Sequence, residues 1–240
     1  MQTLPPHRSV TQLPLPLGEG GAKRRARGTD LAAISIPARD FTGDFYLTHR
    51  TGDTLWVTVG DVAGKGLNAA VIMAILQEEL EHRLASCATS GCDPAVTMRR
   101  LHDLLLPLHS GNRFATIAIA QIRDNGAVRI ANAGHPPPLI ARAGGRIERI
   151  GSTGPAAGIL EHSRWTSVYR HLGHGETLLL YTDGAIEAND FGVEGVSTAF
   201  RSAASLPTSR SVAEAVADAV KVHGGIEDDL TLLVVRHSER

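Results

Sequence analysis

Residues 55–66 read LWVTVGDVAGKG, an apolar run that is followed by a glycine-rich turn holding Asp61. The β-branched and aromatic residues at 55–59 predict an inner strand. From Leu67 to Leu84, apolar residues recur at spacings of three and four, which predicts a helix. Glycine permits sharp turns and close approach of a ligand, so the stretch places a carboxylate in a position suited to chemistry. A solvated corner between strand and helix is the alternative on this stretch alone.

Composition limits the function classes. The chain has 240 residues, enough for a sizeable core, and its 24 Lys and Arg against 25 Asp and Glu give no overall field directed at nucleic acid or an acidic membrane. Cys87 and Cys92 have no second pair at zinc-ligand spacing, so neither a disulfide framework nor a structural zinc site is expected. The longest apolar window falls short of the roughly 20 residues that span a bilayer. We expect a cytoplasmic protein with no nucleic-acid or membrane partner.

The chain divides into a tail and one domain. Residues 1–28 are rich in Pro, Gly and Leu and end in a basic cluster, a composition that predicts a disordered tail with a docking role as an alternative. Residues 29–240 form the predicted domain. Because 28 residues leave no room for a sensor domain, we expect regulation in trans, by a separate protein or by self-association through the predicted helices at 67–86 and 93–108.

The order of patterns predicts the fold class. Turn signals at 51–53 and 124–126 lie between strand-like runs and indicate hairpins. Asp93 and Pro94 open a second helix, as N-cap and first helical residue, and two more helices are predicted at 193–204 and 211–222, the latter with a capping box from Ser211 to Glu214. Further strands are predicted at 166–171, 177–181 and 230–236. The pattern predicts an α+β fold, a four-layer αββα sandwich of two mainly antiparallel sheets flanked by helices.

Acidic residues stand at strand ends or in glycine turns across the whole domain. The four positions are Asp44, Asp61, Asp183 and Asp228, with Asp229 next to the last. Converging carboxylates repel one another unless a cation neutralises them. All-oxygen ligands favour Mg²⁺ or Mn²⁺ over zinc. The alternative for each residue alone is a turn or cap aspartate.

Five pieces of the chain also follow one another in a recognisable order: TGDFY at 42–46, GDVAGKG at 60–66 with AAVIMA at 69–74, NAGHPP at 132–137, YTDG at 181–184 with Glu187, and DDLT at 228–231. This set resembles the motifs of bacterial SpoIIE/RsbU-type protein phosphatases, which belong to the metal-dependent PPM (type 2C) serine/threonine phosphatase superfamily. The resemblance spans residues 30–236. It implies hydrolysis of a phosphoserine or phosphothreonine on a bacterial regulatory protein, such as an anti-sigma factor antagonist.

The resemblance also implies roles for residues. Asp61 would bridge two Mn²⁺ or Mg²⁺ ions, and the Val62 carbonyl would complete the shell of one ion. Asp183 and Asp228 would serve the other ion, and Asp44 would orient metal-bound water. Asp61 and Asp44 would thus be the catalytic residues, and a metal-bridging hydroxide would attack phosphorus without a covalent enzyme intermediate.

Three further residues are candidates for substrate binding. Arg39 has the spacing from Asp44 of a phosphate-binding arginine in the eukaryotic branch, with a surface ion pair as the alternative. His135 lies in the NAGHPP motif, where ordering of the turn is the competing interpretation. Lys65 matches a lysine of the family motif, and turn electrostatics is its alternative.

Two rival functions differ from an active phosphatase. A nucleotide-binding loop would suit the glycines and Lys65, but it needs Gly in place of Val59 and Ser or Thr in place of Gly66, and it leaves the distant aspartates unexplained. A catalytically weak or silent phosphatase fold acting as a binding partner is the second rival. The presence of all the acidic positions argues against it.

Overall fold

The structure, a computed structural model, describes residues 28–38, 42–64, 66–87, 92–108 and 113–238. Its ten strands form two five-stranded sheets in which every neighbouring pair is antiparallel, in the orders β1-β10-β9-β6-β7 and β2-β3-β4-β5-β8. The strands are β1 (Thr29–Ile36), β2 (Asp44–Thr51), β3 (Thr54–Val62), β4 (Ala115–Arg123), β5 (Ala127–Ala133), β6 (Leu139–Ala141), β7 (Ile147–Arg149), β8 (Val168–His171), β9 (Thr177–Tyr181) and β10 (Leu230–His237).

Helices cover the outer face of each sheet. They are α1 (Leu67–Ser86), α2 (Pro94–Leu105), α3 (Gly184–Glu187), α4 (Gly192–Ala203) and α5 (Ser209–Gly224), with 3₁₀ turns at Leu106–Leu108 and Ala188–Asp190. Helices α1 and α2 pack on the sheet that contains β2 to β5, whereas α4 and α5 pack on the other sheet. The predicted four-layer αββα sandwich is therefore confirmed.

Three apolar layers hold the sandwich together, one under each helix pair and one between the sheets. Strand β3 contributes to two of them because its side chains alternate: Leu55, Val57 and Val59 pack between the sheets, and Trp56 packs under the helices. Continuing the alternation places Asp61 on the face between the sheets, at the edge where the apolar packing stops.

Several element boundaries differ from the sequence prediction. Gly60, Asp61 and Val62 belong to β3 rather than to the following turn, because the strand keeps its pairing with β2 and β4 up to this point. The N-cap of α5 is Thr208, whose side chain accepts from the Ser211 amide, so the capping box lies three residues earlier than predicted. The predicted N-cap at Asp93 is confirmed, since its side chain accepts from the Ala95 amide.

The two cysteines form a disulfide, contrary to the expectation from the sequence. Cys87 directly follows α1 and Cys92 lies two residues before α2, and their Cα atoms are 5.6 Å apart. The cytoplasmic location, which was inferred partly from cysteine usage, stays a prediction. Within the described ranges, no helix has both the length and the apolar character needed to cross a bilayer.

Candidate metal centre

Three of the predicted carboxylates meet at one edge of the sandwich. Asp44, Asp61 and Asp183 each offer an oxygen atom within 4.8 Å of the others. Asp44 begins β2 and Asp61 lies opposite it on β3, whereas Asp183 follows β9 in the other sheet. The group is therefore built from both sheets, with its ligands facing the space between them.

The backbone on each side presents these carboxylates. Asp44 is anchored by its amide, which donates to Thr42 Oγ1 at 2.9 Å. Asp183 occupies the N-cap position of α3, and its carbonyl accepts from the amides of Ile186 and Glu187. Both residues are thus held where a regular element begins, and their side chains are directed to the edge of the sandwich.

Burial and mutual repulsion make these carboxylates hard to ionise. Burial raises the pKa of Asp44 to about 8, although hydrogen bonding by Thr182 and Thr231 opposes the shift. Burial also raises the pKa of Asp61 to about 7, and the charges of Asp183 and other nearby carboxylates add to this increase. The pKa of Asp183 is raised for the same reasons.

The remaining acidic residues surround the group. Asp228 is outside the cluster of three, but its charge raises the pKa of both Asp61 and Asp183. Asp229 Oδ1 accepts from the Ala38 amide at 2.7 Å, which binds this side chain to the end of β1. Glu187 also raises the pKa of Asp61 and Asp183, since it lies one helical turn after Asp183. Glu187 had no predicted role, although its spacing of four from Asp183 was the available signal in the sequence.

Divalent cations fit this group of residues. Buried carboxylates that repel one another ionise when a positive charge neutralises them, and oxygen ligands suit Mg²⁺ and Mn²⁺. Gly43 lies close to two of the candidate ligands: an added Cβ would lie 2.7 Å from the Val62 carbonyl oxygen and 2.9 Å from Asp61 Oδ1. A side chain at position 43 would therefore clash with both oxygens.

His135 lies in a turn rather than in the carboxylate cluster. Its amide donates to Asn132 Oδ1 at 2.8 Å, Asn132 Nδ2 donates to its carbonyl, and its Nδ1 lies 2.9 Å from Thr116 Oγ1. Burial lowers the pKa of His135 to about 3, so the ring is neutral at physiological pH. The other two substrate-binding candidates, Arg39 and Lys65, lie outside the described residues.

The family model described as Stage II sporulation protein E (SpoIIE) matches residues 51–238. The chain belongs to this SpoIIE family. Every residue of the carboxylate group except Asp44 lies within the matched range.

Two curated proteins are similar to this SpoIIE-family chain. Protein IcfG of Synechocystis sp. (strain ATCC 27184 / PCC 6803 / Kazusa) is 29% identical over 237 residues, covering 85% of this chain and 37% of IcfG. The phosphoserine phosphatase RsbU of Bacillus subtilis (strain 168) is 25% identical over 160 residues, covering 66% of this chain and 47% of RsbU. The chain therefore spans less than half the length of either relative.

Solved structures share the sandwich of this SpoIIE-family domain. The RsbU and RsbW domains of Rv1364c from Mycobacterium tuberculosis align with a TM-score of 0.76 at 25% identity, covering 88% of this chain and 60% of that one. The catalytic domain of the serine/threonine protein phosphatase PstP, in complex with two manganese ions, aligns with a TM-score of 0.68 at 15% identity, covering 88% and 99%. The fold is thus that of PPM phosphatases, and a protein of the same fold binds two manganese ions.

Proposed function

We propose that this SpoIIE-family protein is a metal-dependent phosphatase that hydrolyses phosphoserine or phosphothreonine on a bacterial regulatory protein. The observation that carries the proposal is the convergence of Asp44, Asp61 and Asp183 within 4.8 Å, from two different sheets. Support also comes from RsbU, which is a phosphoserine phosphatase and matches 66% of this chain. An anti-sigma factor antagonist is the kind of substrate we propose.

The residues that would hold two Mn²⁺ or Mg²⁺ ions are Asp44, Asp61, the Val62 carbonyl, Asp183 and Asp228, with Asp44 contributing through metal-bound water. When bound, such ions neutralise the charge of a phosphoryl group and lower the pKa of water. The charges of Asp183 and Asp228 both act on Asp61, and Asp61 also has an oxygen within 4.8 Å of oxygens of Asp44 and Asp183. In our proposal Asp61 serves both ions, and Asp183 and Asp228 serve one of them.

Asp44 has a different role in the proposal. Its carboxylate is buried and already accepts a hydrogen bond from the Thr182 hydroxyl, so it has less free lone-pair capacity than Asp61. We assign to Asp44 the orientation of the attacking water. A buried acceptor suits this task because its surroundings keep it in one orientation and bulk water competes little for its hydrogen bonds.

The test is release of phosphate from a phosphoserine peptide and from phosphorylated regulators, with Mn²⁺ or Mg²⁺ and without either. Asp61→Asn should reduce the rate to the background without enzyme. Asp53→Asn is the matched control, because Asp53 lies in the β2–β3 turn at the opposite end of the same hairpin. If wild type and Asp61→Asn release phosphate equally slowly while the protein binds phosphorylated regulators, the binding-partner function is the correct one.

Partner binding through α1 forms the second part of the proposal. Leu67, Val71 and Ile75 lie on successive turns of α1, and their exposed fractions are 62%, 50% and 37%. Such an apolar row at the start of the helix is typical of a contact surface. We propose that this row contacts a regulatory partner or a second copy of the chain.

Light scattering tests whether the apolar row on α1 is a contact surface. Val71→Glu should abolish self-association or capture of the partner, and Val222→Glu is the control because Val222 is also an exposed helical valine, on α5. A wild-type protein that stays monomeric at all concentrations and retains no regulator would contradict the proposal.

A further inference from the structure

The face between the sheets changes from apolar to polar at the edge that holds the carboxylates. Leu180 of β9 and Leu233 of β10 pack between the sheets. Side chains alternate along a strand, so Thr182 and Thr231 continue these two rows on the same face. Two threonines of one sheet therefore lie where Asp44 enters from the other sheet.

Thr182 makes a hydrogen bond across this space. Its Oγ1 lies 2.7 Å from Asp44 Oδ2. Both side chains are buried, with Thr182 at 0% and Asp44 at 6% exposure. Thr182 is also the residue directly before Asp183, so the segment that supplies one carboxylate of the cluster contacts another.

The position of the hydroxyl proton follows from its surroundings. Thr182 Oγ1 accepts from the Thr231 amide at 2.9 Å, and the Thr182 amide donates to the Thr231 carbonyl at 3.0 Å. A hydroxyl has one proton to donate. The acceptors within reach are Asp44 Oδ2 at 2.7 Å and the Asp229 carbonyl at 3.4 Å, and Asp44 in its ionised form is both the nearer and the stronger.

We propose that Thr182 is a positioning residue, whose hydroxyl ties the Asp44 carboxylate of one sheet to the Asp183 segment of the other. The bond holds one oxygen of Asp44 and thereby sets the direction of the whole carboxylate toward Asp61 and Asp183. This inference rests on the proposed metal-dependent function. It assigns to Thr182 a contribution to cation binding that is made through Asp44.

Calorimetric titration of the protein with Mn²⁺, without substrate, tests the inference. Thr182→Val should lower the Mn²⁺ affinity by about 10- to 100-fold, the usual effect of removing a group that orients a ligand. Thr182→Ser keeps the hydroxyl and should restore wild-type affinity. Thr58→Val is the matched control, because Thr58 is a fully buried threonine of β3 whose hydroxyl has no hydrogen-bond partner among the described residues.

A double-mutant cycle separates positioning from general damage to the fold. In an Asp44→Asn background, Thr182→Val should cause little further loss of Mn²⁺ affinity, because the group through which it acts has already been changed. An equal loss in both backgrounds would overturn the inference, as would a Thr182→Val protein with wild-type affinity. If the valine variant does not fold, Thr182→Cys replaces it. Because a thiol is a weak hydrogen-bond donor, the Mn²⁺ affinity of Thr182→Cys should lie below that of Thr182→Ser. A Thr182→Cys protein with wild-type Mn²⁺ affinity would again overturn the inference.

The same samples distinguish this inference from the proposed function. A wild type that binds Mn²⁺ and releases no phosphate from any phosphoprotein would contradict the function but leave the role of Thr182 to be decided by the titration. An active wild type whose Mn²⁺ affinity is insensitive to Thr182→Val would contradict the role of Thr182 alone. A wild type that binds no Mn²⁺ would overturn both.

Discussion

Asp44 and Asp61 lie directly opposite each other on neighbouring antiparallel strands, β2 and β3. Like charges at such a position destabilise a strand pair. The pairing persists because large apolar side chains of the same strands, including Phe45 and Trp56, are buried in the layer under α1 and α2. The packing of the rest of the fold thus offsets the repulsion and keeps the two carboxylates next to each other, where a cation can bind both.

The cation-free protein should lose stability as pH rises. The pKa values of Asp44 and Asp61 are raised from 3.8 to about 8 and about 7, so the folded state binds protons that the unfolded chain has released. The free energy of unfolding should therefore fall between about pH 4 and pH 8. Urea unfolding in the presence of a chelator measures it, and the dependence should be weaker in Asp44→Asn. Mn²⁺ should stabilise the wild type more at about pH 8 than at about pH 6; equal stabilisation would contradict this account.

At lower pH, His135 should give the free energy of unfolding the opposite pH dependence, so that stability falls as pH decreases. Its pKa is lowered from 6.5 to about 3, so below about pH 6.5 the unfolded chain binds a proton that the folded protein does not bind. The free energy of unfolding should fall as pH decreases from about 6.5 toward 3. Urea unfolding of His135→Asn, which keeps an acceptor near Thr116, should show a weaker dependence. His162→Asn, at an exposed histidine, is the control and should behave as the wild type does.

Gly43→Ala should impair Mn²⁺ binding. Its Cβ would lie 2.7 Å from the Val62 carbonyl oxygen and 2.9 Å from Asp61 Oδ1, both closer than normal contact. We expect a loss of stability of about 1–3 kcal/mol, the usual cost of overpacking, together with a lower Mn²⁺ affinity. Chemical denaturation and calorimetry measure the two effects. Gly151→Ala is the control, because no atom of the part of the chain that the structure describes would lie within 4 Å of the added Cβ. An unchanged Mn²⁺ affinity in Gly43→Ala would show that the position next to Gly43 is not part of the site.

The two adjacent aspartates before β10 should respond differently to substitution. The charge of Asp228 raises the pKa of Asp61 more than the charge of Asp229 does, and it also raises the pKa of Asp183, so Asp228→Asn should lower Mn²⁺ affinity more than Asp229→Asn. Asp229 accepts from the Ala38 amide, so Asp229→Asn should weaken a charge-assisted hydrogen bond and cost about 1–2 kcal/mol of stability. Calorimetry measures the Mn²⁺ affinity of both variants, and chemical denaturation measures their stability. A larger loss of Mn²⁺ affinity in Asp229→Asn than in Asp228→Asn would reverse the assignment.

Local patterns in the sequence were sufficient for most elements of the fold. The apolar runs of β3 and β9, the turn signals at the hairpins and the N-cap at Asp93 all depend on interactions between near neighbours in the chain. Boundaries were less well predicted where pairing with other strands decides them. Strand β3 continues through Gly60 and Asp61 because β2 and β4 pair with it on both sides, whereas glycine alone suggested a turn.

The disulfide is a second feature that local sequence patterns did not predict. Its formation depends on the path of the chain from α1 to α2, which brings Cys87 and Cys92 together. Cysteine spacing in the sequence contains no information on that path. The prediction from counting cysteines was therefore wrong.

The sequence by itself determined the sandwich, the carboxylates at the ends of its strands and the oxygen chemistry that they offer, because residue type and periodicity carry this information. Only the tertiary structure decided which carboxylates meet. Asp183 is more than 120 residues from Asp61 along the chain, and the packing of one sheet on the other brings them together. The contact of Thr182 with Asp44 was not foreseeable, since alternation places both side chains between the sheets but does not determine how the two sheets align.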